Sequence, residues 1–143
     1  MDGFDLKELE ELEKEFLKMA EAYPNKAKSF LRKEGSKLRK VVKANAKGKF
    51  KKKTGNYMRG FKRGKPYRDE DGTDTIRVYN NQSHAHLLEF GHVIKGKDGS
   101  EHGFKKGAYV LKESQEDFKR EFTEDAEEFL SKVVKEGGIY WLN

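Results

Sequence analysis

The sequence predicts an α+β fold, and three observations carry that reading. Apolar residues recur at helical spacing through the first 46 positions, short alternating segments bounded by turn residues occupy the middle, and a long amphipathic stripe runs toward the end. The arrangement expected is N-terminal helices, a small antiparallel β-sheet from about residue 57 to 95, and a long C-terminal helix packed on the sheet. The helix stripes and the apolar side of the sheet would share one thin core. All 143 residues are read as a single domain; at this size roughly 70% of the unfolded surface is buried on folding.

The first helix starts near Phe4-Asp5-Leu6-Lys7-Glu8-Leu9. Asp5 and Glu8 have capping-box spacing, and Phe4 and Leu9 sit where a hydrophobic staple would. Leu9, Leu12, Phe16, Met19 and Tyr23 then mark one helix face. Pro24 ends this helix or starts the next, because it lacks an amide hydrogen and disfavours helix at Tyr23. Ala27, Phe30, Leu31, Leu38, Val41 and Val42 continue a stripe that Gly35 weakens by about 1 kcal/mol relative to Ala. Two helices, or one kinked helix, fill residues 1–46.

Residues 47–56 read as a flexible basic loop, with two glycines and a run of like charges. The sheet plus the long helix occupies 57–136. Tyr57–Arg63 leads to a turn-rich acidic patch over residues 69–74, and Ile76 and Val78 alternate with Arg77 and Tyr79 in a half-buried strand of a β-hairpin. His92–Lys95 forms a further short strand and residues 96–100 a loop tip. Leu111, Phe118, Phe122, Ala126, Phe129 and Val133 lie on one face of a helix from about Val110 to Glu136, which Gly137-Gly138 stop. Ile139-Tyr140-Trp141-Leu142, in the tail 137–143, is apolar on an otherwise polar chain and is expected to dock on a surface.

Charge narrows the function further. The chain is 34% hydrophobic and 39% charged, with a net charge of +6. Residues 1–25 carry eight acidic and three basic side chains, whereas 26–53 carry one acidic and thirteen basic. Such polarity can pair unlike surfaces of neighbouring subunits, or serve as a footprint for nucleic acid. With no cysteine, disulfides and thiolate metal sites are excluded. The N-terminus lacks a signal-peptide pattern, and no apolar run approaches the roughly 20 residues needed to span a bilayer. A soluble protein made in a cytoplasm, with no membrane association, is expected.

The densest chemistry lies in Ser83-His84-Ala85-His86-Leu87-Leu88-Glu89-Phe90-Gly91-His92. On an extended strand His84 and His86 would face one side, with His92 or His102 as a third metal ligand. That spacing matches no standard zinc pattern, and local packing of His86 is the simpler reading. Glu89 beside a histidine could form an acid–base pair. No nucleophile, oxyanion donor or phosphate loop accompanies it, so a structural role is favoured: pairing with Arg59 or Arg77, or capping backbone amides. The lysines after Phe30 are the solvated face of the second helix. Lys49, Lys51, Lys52 and Lys53, with Thr54, Gly55 and Asn56, are read as a contact surface for either an acidic protein or nucleic acid.

The stretch Ser83–His92, which ends in His86-Leu87-Leu88-Glu89-Phe90-Gly91-His92, resembles the signature of the bacteriophage neck or tail-completion proteins typified by gene product ten of a lambdoid coliphage. Those proteins carry an aromatic residue or His, Ala, an apolar pair, then Glu-Phe-Gly or Glu-Tyr-Gly. A second similarity is Thr54-Gly55 ahead of Met58-Arg59, with Gly60 where the family has Ser and Phe61 at the apolar position. A third is Gly107-Ala108-Tyr109-Val110-Leu111, at the place of a Pro-rich lead into a helix, although the prolines are absent here. Together the three blocks span residues 54 to about 136.

The resemblance implies a structural virion or prophage component of the head–tail junction that completes or joins the tail as part of a ring. It implies no catalysis and no cofactor. Partners would be head-closure, tail-terminator or tail-tube proteins and further copies of the chain in the virion ring, with the state of the isolated protein, monomer or oligomer, left open. The chain would reside in the virion, and in the bacterial host cytoplasm during assembly. Lys49, Lys51–Asn56 and Ile139–Leu142 are the expected interface; His86, Leu88, Glu89, Phe90 and Gly91 are the structural motif. The alternative is a nucleic-acid-binding protein using residues 26–53.

Overall fold

A computed structural model describes residues 6–50 and 55–137 of the chain. Helix α1 runs Leu6–Ala22 and α2 runs Pro24–Lys49, so the predicted break falls at Tyr23. Pro24 occupies the first turn of α2, where its missing N–H leaves no bond unmade. The capping and staple residues Phe4 and Asp5 lie outside the described residues. Helix α2 continues to Lys49, three residues past the predicted end, so Lys47–Lys49 belong to a helix and not to a loop. Their lysines suit that end, because cations near a helix C-terminus meet its partial negative charge.

Residues 55–59 form a short helix, α3 (Gly55–Arg59), where the sequence reading placed a loop followed by a strand. Strands β1 (Phe61–Arg63) and β2 (Tyr67–Arg68) pair antiparallel with β4 (Val78–Asn80) and β3 (Asp74–Thr75) respectively. This is the predicted hairpin, interrupted in both arms and closed by an Asp69 turn. Asp69 Oδ1 there accepts the Asp71 and Thr73 amides, each at 3.0 Å. The Ser83–His92 motif folds mainly as helix α4 (Ala85–Phe90). A second hairpin follows, β5 (Gly91–Lys95) against β6 (Glu101–Lys106). β6 is additional to the expected strands, because Glu101, Lys105 and Lys106 leave it without apolar alternation.

Helix α5 (Val110–Gly137) matches its predicted span. It lies chiefly along α2 and α1 and meets the first hairpin at its own first turn. Phe30 stacks on Phe129 with ring centroids 4.6 Å apart, and Phe16 tilts against Phe30 at 5.5 Å. Met19, Ala20 and Ala27 bury against Leu130 and Val133. At the other end Val42, Ala46, Phe61 and Val110 form a second cluster. Burying a side chain as large as Phe61 contributes about 1.5–3 kcal/mol. Gly35, read as a weakness of α2, is a point where hairpin side chains crowd the helix. A Cβ there would stand 2.9 Å from Ile76 Cδ1 and 3.0 Å from Arg63 Cγ.

Candidate assembly interface

The Glu89 carboxylate is the pivot of the molecule's middle. Helix α4 opens in a turn, with the Ala85 amide on the Gln82 carbonyl at 3.1 Å, and closes with the Gly91 amide on the Leu87 carbonyl. One short helix turn puts Glu89 inward and its neighbours outward. Glu89 is 7% exposed, Leu88 37% and Phe90 61%. Apolar residues thus face solvent while the acid is buried, the reverse of what their hydrophobicity alone would give.

Inside, Glu89 Oε1 accepts the Leu111 amide at 2.9 Å and Oε2 accepts the Lys112 amide at 3.2 Å. These are among the first-turn donors of α5 that have no partner within the helix. Tyr109, just before α5, has φ of +50° and makes no side-chain cap of its own in the described bonds. The acid is therefore borrowed from 22 residues upstream. It satisfies two donors and places a negative charge at the positive end of the helix dipole. Backbone bonds reinforce the joint: the Ala108 amide donates to the Leu88 carbonyl at 2.8 Å and the Tyr109 amide to the Glu89 carbonyl at 3.1 Å.

Two glycines make this crossing possible. Gly91 has φ of +87°, a left-handed value that costs a side chain strain, and an added Cβ would run into the Lys105 carbonyl. At Gly107 an added Cβ would meet the Glu89 carbonyl oxygen, and the Phe90 carbonyl carbon would be 2.6 Å away. In each case the obstacle is backbone, which cannot swing aside.

The ends of α2 and α3 close on the same point. Lys49 Nζ donates to the Ala108 carbonyl at 2.6 Å and pairs with Glu113 in the first turn of α5. Tyr57 packs edge-on against Phe50 and Phe61, with centroids at 5.5 and 5.0 Å. Its burial, and then the nearby Glu89 charge, push the phenol up to about 12. The three blocks picked out in the sequence therefore converge on one joint.

Several expected placements change. Neither arginine reaches Glu89: Arg59 donates to Asn56 Oδ1 at 2.8 Å, and Arg77 lies over the Tyr79 ring at 5.8 Å. His84 and His86 belong to the start of α4, not to a strand, so they do not share one side of an extended segment. His102 Nε2 is 2.9 Å from Ser100 Oγ at the hairpin tip. Among the described residues no group of three His, Asp or Glu is placed to hold a metal ion. Of the expected interface, Lys49 is exposed but bonded to Ala108 and Glu113 of its own chain, and Gly55 and Asn56 are exposed on α3. Lys51, Lys52, Lys53, Thr54 and Ile139, Tyr140, Trp141, Leu142 lie outside the described residues.

Two features of the folded chain leave no signal in the sequence. Phe104, 61% exposed, stands opposite Val93 in the second hairpin. Only the pairing of β5 with β6 reveals that these two share one side of the hairpin, with the Phe104 ring against Gly91, the residue after Phe90. The other is Glu34, 3% exposed in α2, with Oε1 lacking a hydrogen-bond partner. Burial, followed by its contacts with Asp125, pushes this carboxyl up to about 8. Lys37 bridges the pair, 3.7 Å from Glu34 and 2.7 Å from Asp125.

A family model described as "Bacteriophage HK97-gp10, putative tail-component" matches residues 10–91. That is more than half of the chain, and the chain belongs to this family of bacteriophage tail components. The match runs from within α1 through α4 and ends at Gly91, the last residue of the Glu-Phe-Gly motif. No curated protein and no solved structure matches the chain.

Proposed function

We propose that the chain is a structural part of the head–tail junction of a tailed bacteriophage, completing or joining the tail as one subunit of a ring. It acts by placement and not by catalysis. The observation that carries this reading is the family match over residues 10–91, whose final motif is here an architectural joint. Both Glu89 oxygens are committed to backbone amides, so the acid locks α4, the second hairpin and α5 into one unit. A rigid unit with an outward hairpin suits a part that must present a fixed surface to head-closure, tail-terminator or tail-tube proteins. Such a component resides in the virion and is assembled in the host cytoplasm.

Immunogold labelling of particles from the phage that encodes the chain tests the proposal. Label at the junction of head and tail supports it, and particles without label contradict it. The nucleic-acid reading is weakened by the cations that α2 spends internally. Arg39 donates to the Phe61 carbonyl at 2.7 Å, Lys37 binds Asp125, and Lys49 binds Ala108 and Glu113. Binding that falls steeply across a salt series would restore it.

A further inference from the structure

We propose that the apolar face formed by Phe90, Val93, Phe104 and Tyr109 receives the Ile139-Tyr140-Trp141-Leu142 segment of a neighbouring copy. This rests on the ring reading above and names the contact that would build the ring.

The face is two apolar pairs that meet at Gly91. Val93 and Phe104 are register partners across β5 and β6. The Phe104 ring lies against the Gly91 backbone, 2.8 Å from where a Cβ would be. Phe90 meets Tyr109 edge-on at 6.2 Å. Phe90 and Phe104 are each 61% exposed, and Val93 and Tyr109 are 42% and 39% exposed. Exposed aromatic area on a chain that is only 34% hydrophobic marks a contact surface.

The occupant follows from reach and charge. The face sits at the N-terminal end of α5, whose 28 residues extend about 42 Å. Leu142 is five residues beyond Gly137 and reaches at most about 18 Å past it. The segment therefore falls well short of the face on its own molecule, but a second copy can bring it there. Residues 139–142 carry no charge and two aromatic rings, which suits an aromatic face. The surroundings are complementary as well. Lys95, Lys105 and Lys106 lie on the strands around the face, while α1, packed along the C-terminal half of α5, has six acidic and three basic residues. A contact between two unlike ends of the same chain is heterologous and propagates until a rotation closes it into a ring.

The test uses the full chain in three forms: wild type, Phe90→Asp with Phe104→Asp, and Trp141→Asp. Sedimentation is followed over a concentration series, with the fluorescence of Trp141, the sole tryptophan, as a second readout. Wild type should associate beyond the dimer, with Trp141 emission shifting to the blue as it does. Either variant alone should associate at least about tenfold more weakly. An equimolar mixture of the two should form a heterodimer and stop, because one intact face and one intact segment remain. Association of both variants equal to wild type would overturn the proposal while leaving the junction reading to particle labelling. Blue emission independent of concentration would also overturn it, since the segment would then be packed on its own molecule. So would a chain that stays monomeric throughout.

Discussion

Glu89 and Leu111 are joined by a 2.9 Å bond from the Leu111 amide to the carboxylate, and that bond fixes where the longest helix begins. With the Lys112 amide on the second oxygen, the acid caps α5 from outside the helix. Replacing Glu89 with Gln removes the charge and turns an NH2 toward a donor. The melting transition should show a loss of about 1–3 kcal/mol. An unchanged melting temperature at neutral pH would remove the joint from the account.

Glycine substitutions should part in sign. Gly107→Ala forces a Cβ into the Glu89 carbonyl, so a loss of about 1–3 kcal/mol is expected in denaturant unfolding. Gly48→Ala, in α2 with nothing within 4 Å of the added Cβ, should gain about 0.5–1 kcal/mol. Equal effects at the two sites would mean that the crossing at Gly107 is not tight.

Glu34 gives the fold a pH dependence. Its carboxyl is raised from 4.5 to about 8 by burial and by Asp125, with Lys37 opposing and Glu121 adding to the rise. Between those values the folded chain keeps a proton that the unfolded chain has released. Stability from this group is complete below pH 4.5, falls as pH rises, and is gone above about 8. Glu34→Gln should flatten that slope and melt higher than wild type at pH 9. A variant whose melting temperature follows wild type across pH 5–9 would show that Glu34 does not titrate there.

Zinc should leave the melting temperature unchanged. His84 and His86 are exposed at α4, His92 lies in β5 and His102 is bonded to Ser100 at the hairpin tip, and among the described residues no three such ligands come together. A zinc-dependent rise that chelator reverses would show a site that the geometry does not contain.

Helices were the most legible part of the sequence. Pro24 marked the α1–α2 break and Gly137 the end of α5, because proline and glycine act through backbone constraints that need no tertiary context. The Glu89 environment was half legible. A lone acid among apolar residues announced burial and left amide capping open, but the donors lie 22 residues away on a helix that only the folded chain brings near. Arg59 and Arg77 were nearer in type and wrong in place. β6 was hidden because its exposed, charged residues carry no periodicity. Glu34 was hidden because one acid in a basic helix reads as a surface residue until Asp125 is packed against it.

Amide hydrogen exchange at Leu111 and Lys112, compared between wild type and Glu89→Ala, tests most directly whether the signature motif is an architectural joint. In wild type both amides should be protected to a degree near that of the α5 interior. In the variant they should exchange rapidly while residues in the middle of α5 keep their protection. Unchanged protection at the two amides after loss of the carboxylate would contradict the account.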